Sequence, residues 1–250
     1  MISKAKVRRL IVMVVVAVFA YIGAVYSAGP NDSIATPSTP PPSEKAPEPT
    51  TPHGSSKEQS VVQGTALAEL AQLSIKGKAA KTGYARTQFS NGWQRVGQCD
   101  IRNIILRRDL THPVVDTKCK VVSGTLDDPY TGKQIAFLRG PTTSDKVQID
   151  HVVALSNAWQ TGAQQLSPEK RLSLANDPLN LIAVDGQANQ NKSASDAASW
   201  LPPNKSFRCQ YIARQIAVKR AYNLWITQAE HDAMQRVLTT CPEQHMPVSG

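Results

Sequence analysis

No internal repeat runs through the 250 residues, which excludes a solenoid or a propeller. No two of the four cysteines, Cys99, Cys119, Cys209 and Cys241, stand at the close spacing of a zinc knuckle, and this argues against a four-cysteine zinc site. Residues 1–9 contain no acid, and residues 10–28 (LIVMVVVAVFAYIGAVYSA) contain no charge at all. Residues 29–60 have no apolar periodicity, so they build no core of their own.

What is present follows the same divisions. Lys4, Lys6, Arg8 and Arg9 precede the uncharged run, and a basic cluster ahead of an apolar segment reads as a signal peptide or signal anchor over residues 1–28. Val25 with Ser27, or Tyr26 with Ala28, meet the small-x-small cleavage rule only loosely. A spanning helix needs ~20 apolar residues, so membrane attachment through this segment stays open. Residues 29–60 are rich in Pro, Ser and Thr and read as an extended linker. The remainder, 61–250, is long enough for one domain with a sizeable core. Four cysteines behind an export signal read as two disulfides, and sequence neighbourhood favours Cys99–Cys119 and Cys209–Cys241 among the three pairings. The expected location is secreted or associated with the cell envelope.

The formal net charge is +9. The N-terminal bases supply +4 of it, and the linker removes 2 through Asp32, Glu44, Glu48 and Glu58 against Lys45 and Lys57, which leaves +7 on the domain. A basic domain suits a polyanion such as nucleic acid or anionic lipid. Arg107, Arg108, Arg139, Lys146, Arg214, Lys219 and Arg220 are candidates for a basic surface, although each alone reads as part of a solvated helix face. Nothing in the sequence points to a protein partner.

Helices are expected over 65–76, 100–110, 158–163, 168–175 and 188–198, the last stopped by Pro202 and Pro203. Two longer helices close the chain, the second opened by a capping box at Thr227 and Glu230. CKVVSGTL, DDPYTG and KQIAFLRG read as strand, turn and strand. KVQIDHVVAL ends a short strand at Asp150 and His151, and 179–184 is a second short β run. This mixture implies an α+β fold.

The candidate chemistry gathers on five residues. Asp150 and His151 sit together, Asn180 follows on the second β run, and Asn189 opens the next helix with Lys192 three residues on. Singly, an Asp-His pair is common and the asparagines suit turns or caps. Jointly they supply the parts of phosphodiester hydrolysis. His151 takes a proton from water, Asn180 orients its ring, and Asp150 and Asn189 offer oxygens to a divalent cation that steadies the leaving oxygen. Mg2+ suits such a site, with Mn2+ or Ca2+ as alternatives. Arg102, beside Asp100, is either a phosphate contact or half of a structural pair, and Lys192 is a second phosphate candidate. Trp93, Trp159, Trp200 and Trp225 read as packing residues. His112, His231 and His245 read as structural or surface residues.

Asp150-His151-Val152-Val153, Asn180-Leu181 and Asn189-x-x-Lys192 resemble the HNH endonuclease motif. The wider chain, through CDIRNIILRRDL, SGTLDDPYTG, QIDHVVALSNAWQTGA, NDPLNLIAV and NQNKSASDAASWLPP, is similar to exported HNH proteins of actinobacterial type. Their DUF1524 domain also forms the C-terminus of GmrSD-type restriction nucleases. The resemblance covers about residues 85–241. It implies a ββα-metal (HNH, or His-Me finger) core embedded in a mainly helical domain. His151 would be the general base, Asn180 its orienting residue, Asp150 and Asn189 the metal ligands. Asn189 stands where many HNH enzymes carry His, Ser193 and Ala194 depart from the usual step after the Lys, and the stretch between His151 and Asn180 is longer than in compact HNH modules. The implied activity is cleavage of DNA, with RNA as a further substrate, through phosphate contacts. The alternative is an inactive nucleic-acid-binding or envelope module on the same fold.

Overall fold

The computed structural model describes residues 64–247; the expectations for the N-terminal segment and the linker lie outside the described residues. Among those described, no helix is long and apolar enough to cross a membrane. The fold is α+β, with three small antiparallel sheets among seven α-helices of the described residues.

Helix α1 (Ala66–Leu70) is capped by Thr65, whose hydroxyl accepts from the Ala68 N–H. It is shorter than the sequence suggests. Past Leu70 the backbone turns to bridge Ile226, with Ile226 N–H donating to Ser74 and Lys76 N–H to Ile226. Strands β1 (Arg95–Val96) and β2 (Cys99–Asp100) form a minimal hairpin that leads into α2 (Ile101–Asp109). Asp100 caps α2 by accepting from the Asn103 N–H at 2.8 Å.

A three-stranded sheet follows, ordered β3 (Leu110–Val115), β4 (Val121–Asp127), β5 (Gln134–Leu138). The β4–β5 hairpin matches the sequence reading. β3 was not legible, because LTHPVV contains a proline and does not alternate. It pairs as an edge strand whose register shifts between Thr111 and Val114. The hairpin turn is built by Asp128, whose carboxylate accepts from the backbone of Tyr130, Thr131 and Asp185.

The platform for the candidate site is the pair β6 (Val147–His151) and β7 (Leu181–Asp185), in register from Val147 opposite Asp185 to His151 opposite Leu181. Both faces of this ribbon are covered, so β7 reads as a continuous apolar run. Leu181 and Ala183 face a cluster with Ile101, Ile105, Leu106 and Phe137, together with Val147 and Ile149. Ile182 and Val184 face the other cluster, with Tyr130, Tyr211, Ile212 and Ile216. The strands are joined by α3 (Leu155–Gln160) and α4 (Pro168–Asn176), which pack with Phe89, Trp159 and Leu224 in a third cluster.

After β7 the chain reverses into α5 (Gly186–Lys192), capped by Asp185 at 2.7 Å from the Ala188 N–H. Position 186 demands glycine, since a Cβ there would lie 2.0 Å from the Asp145 carbonyl oxygen. Helix α5 stops at Lys192, not at residue 198. Ser193 takes a φ of 49°, which terminates the helix well before Pro202. Helices α6 (Arg208–Ala221) and α7 (Gln228–Leu238) close the fold. Thr227 caps α7 through the Glu230 N–H, and among the described residues the reciprocal bond of a capping box is not made. The Glu230 carboxylate is instead buried 2.9 Å from the Lys219 ammonium. The disulfides join Cys99 to Cys119 and Cys209 to Cys241, as expected.

Candidate active site

Strand alternation separates Asp150 from His151. On a continuous strand, adjacent side chains point to opposite faces, and β6 stays paired through His151. Asp150 therefore turns toward α5 and the Tyr130 turn, while His151 turns toward Trp93 and the end of α4.

Asp150 is buried and fully engaged. Its Oδ2 accepts from the Tyr130 hydroxyl at 2.5 Å and lies 2.9 Å from Lys192 Nζ, while Oδ1 accepts from the same ammonium at 3.1 Å. Lys192 has no exposed surface and donates also to the His151 carbonyl at 2.8 Å. The α5 terminus thus locks onto the end of β6 through one cation. Burial and the Asp150 charge hold the Tyr130 phenol well above its ordinary range, so it stays a donor. Tyr130 went unnoticed at the sequence level; its signal was its place inside DDPYTG, the turn that aims it inward.

His151 is 5% exposed. Its Nε2 lies 2.8 Å from the Ala175 carbonyl oxygen. A carbonyl only accepts, so Nε2 carries the proton and Nδ1 keeps the lone pair. Burial is the main cause that lowers the imidazole pKa to about 3, with the Arg86 and Lys192 cations adding to it against the Ala175 contact. The ring is the free base at neutral pH. It stacks on Trp93, with centroids 6.0 Å apart and planes within 8°. Both rings line a cavity of about 110 Å³ with Arg86, Ser90, Gly92, Leu155 and Ala175. Trp93 packs partly buried against the core, as expected, and also lines this cavity. Arg86, a cation at the base, was missed because its segment carries no motif.

The Asn180 amide does not reach the imidazole. Its Oδ1 accepts from the Val153 N–H at 2.9 Å, and its Nδ2 donates to the Val153 and Leu174 carbonyls. It continues the β6–β7 pairing one turn past His151 and fixes the backbone that carries the base. Ala175, not Asn180, holds the ring. Asn189 donates from Nδ2 to the Gln148 carbonyl oxygen, Oε1, at 2.9 Å, one strand position pair away from Asp150 on the same face of β6.

Arg102 is half-buried beside Asp100, Arg139 and Asp145, and burial with the Arg139 charge lowers its pKa. One of its guanidinium nitrogens, Nη1, is buried without a hydrogen-bond partner among the described residues. It does not line the His151 cavity, and neither does Lys192. The expected basic surface is thinner than composition implies. Arg108 and Arg214 both donate to carbonyls of the Pro178–Leu181 segment, Lys219 is buried on Glu230, and Arg220 pairs with Glu69. These cations brace backbone or carry partners, and of the four only Lys219 is buried.

Comparison with known proteins adds two findings. The family described as GmrSD restriction endonucleases, C-terminal domain, matches residues 100–237. The chain is also 39% identical over 179 residues, 71% of its length and 85% of the relative's, to a protein of Arthroderma benhamiae named as an uncharacterized secreted protein. The family match begins at the Asp100 cap, spans the Tyr130 turn, β6, β7 and α5, and ends in α7. The chain belongs to the family of GmrSD restriction endonuclease C-terminal domains.

Proposed function

We propose that the chain is an exported endonuclease that hydrolyses phosphodiester bonds in DNA, with His151 as general base. The observation that carries this reading is the state of His151. A buried imidazole, neutral and fixed in one tautomer by Ala175, lines a recess beside the Arg86 guanidinium. Nδ1 accepts a proton from water, the water oxygen bonds to phosphorus, and the bond from phosphorus to the leaving ester oxygen breaks. That oxygen then takes a proton from solvent. Arg86 faces the non-bridging oxygens, a task for which a guanidinium is suited. Family membership supports a nuclease-related role. Export is supported by the two disulfides and by the secreted relative.

The HNH motif implies a divalent ion on Asp150 and Asn189. As arranged here, these residues do not fit one. Lys192 and Tyr130 take both Asp150 oxygens, Asn189 is paired with Gln148, and among the described residues no three His, Cys, Asp or Glu side chains converge. The Lys192 ammonium supplies the positive charge at this carboxylate.

The test is degradation of supercoiled plasmid by the exported chain and by His151→Ala, each with added Mg2+ and with EDTA. Cleavage by the wild-type chain alone is expected. Equal cleavage by both proteins, or none by either, refutes the assignment, and the second result favours an inactive binding module.

A further inference from the structure

A second cavity, of about 590 Å³, opens between the segment that follows α5 and the two C-terminal helices. Its volume falls in the range of small-molecule sites. Its walls include Trp200, Lys205, Arg208, Cys209, Arg236 and Thr240, and among the described residues no acidic one lines it. Among the described residues none of the three cations forms an ion pair. This contrasts with Lys192, Lys219 and Arg220, each of which has a carboxylate partner.

Two features organise this cavity. Arg208 Nε donates to the Pro202 carbonyl at 2.8 Å, which orients the guanidinium and leaves most of its donors for another acceptor. The Cys209–Cys241 disulfide ties the start of α6, with Arg208, to the turn just past α7, the helix that carries Arg236. The spacing of cations from two helices is therefore covalently held. The aromatic wall is fixed as well. Trp200 packs edge-to-face on Tyr130 and on Tyr211, with centroids 5.0 and 5.8 Å away.

We propose that this cavity binds a nucleotide, its phosphate on Lys205, Arg208 and Arg236 and its base against Trp200. Unpaired guanidinium groups are suited to phosphate oxygens, and an aromatic wall takes any base by stacking. A recess with one planar wall suits a compact flat group better than a membrane surface, which meets proteins along an exposed apolar face. The site takes its ligand class from the proposed function, on which it rests, and it involves no catalytic step. Trp200 touches Tyr130, whose hydroxyl holds Asp150 on the face of β6 opposite to His151.

The experiment is calorimetric titration of the full chain at low salt with adenosine 5′-monophosphate, inorganic phosphate, adenosine, and vesicles of anionic phospholipid. The variants are Lys205→Ala/Arg236→Ala, both positions exposed, and His151→Ala. The mononucleotide should bind, and inorganic phosphate and adenosine should each bind at least about tenfold more weakly. The double variant should lose about tenfold or more in mononucleotide affinity, and His151→Ala should bind as the wild type does. Absence of mononucleotide binding, or equal binding by the double variant, overturns the proposal. So does a double variant that loses only vesicle binding, which would make the surface a lipid contact. Cleavage is not the readout, so failure here is separable from failure of the nuclease reading.

Discussion

The Lys192 ammonium sits 2.9 Å from one oxygen of Asp150 and 3.1 Å from the other, with both side chains buried. Asp150 has given up water for Lys192 and the Tyr130 hydroxyl, and Lys192 for Asp150 and the His151 carbonyl. Removing one partner strands a buried charge, which typically costs about 3–5 kcal/mol. Lys192→Met should destabilise the domain by that order in chemical denaturation. Lys192→Met/Asp150→Leu should recover much of the loss, because no charge is then left unpaired. A single variant as stable as the wild type would show the pair to be solvated.

The same pair controls access of other cations to Asp150. With Lys192 in place, both oxygens are occupied. Lys192→Met should therefore bind Mg2+ more tightly than the wild type, and Asp150→Asn should bind it least. Titration of the three proteins measures this. Identical affinities would mean that any ion bound by the chain sits elsewhere.

Much of this arrangement was legible in the sequence. The strand ending at Asp150-His151, the β run before Asn189, the helix from residue 100 and both disulfides came from local patterns of polarity, turn chemistry and spacing. What escaped depends on distance along the chain. Tyr130 meets Asp150 across 20 residues and Lys192 meets it across 42, and no local pattern records such pairings. Arg86 and Trp93 reach His151 from a segment with little regular structure. Asn180 was placed correctly on the chain, but its amide serves the backbone of Val153. The ring contact comes from Ala175, a main-chain carbonyl that any residue could supply and that therefore leaves no trace in the sequence.

His151 should make stability depend on pH. The folded ring takes up a proton only near pH 3, the unfolded one near 6.5. Between those values the unfolded chain binds more protons, so stability falls as pH falls through the window and is level above it. The full effect is on the order of 5 kcal/mol. Denaturation of the wild type and His151→Gln across this range should show a shallower acid slope in the variant. Parallel slopes would mean that the ring is hydrated in solution.

The Cys209–Cys241 bridge closes a loop with a sequence separation of 32 residues and joins α6 to the turn just past α7. Loop closure of this size is typically worth about 2–4 kcal/mol. Cys209→Ser/Cys241→Ser should lower the denaturation midpoint accordingly. It should also weaken mononucleotide binding, since Arg208 and Arg236 lose their fixed separation. Unchanged nucleotide affinity in the folded variant would show that the helices hold that separation without the bridge.

Arg86 offers the sharpest test of the site at His151. It lines the same cavity, is exposed, and is one of the charges that depress the His151 pKa. Arg86→Gln should therefore do two things that loss of a merely structural arginine would not. It should cut kcat/KM by roughly ten- to a hundredfold, the worth of one charge-assisted contact to phosphate. It should also raise the His151 pKa, because a nearby cation no longer opposes the proton, so the acid limb of the cleavage profile should move to higher pH. Asn180→Ala should behave differently. It leaves the Val153 N–H and two buried carbonyls without their side-chain partner, so its cost appears first as lost stability, about 1–3 kcal/mol. Cleavage should then fall partially, through displacement of the backbone that carries the base. Steady-state cleavage of a duplex across pH, with denaturation of each variant, separates these outcomes. If Arg86→Gln cleaves like the wild type with an unmoved acid limb, the His151 recess is not where the phosphate binds.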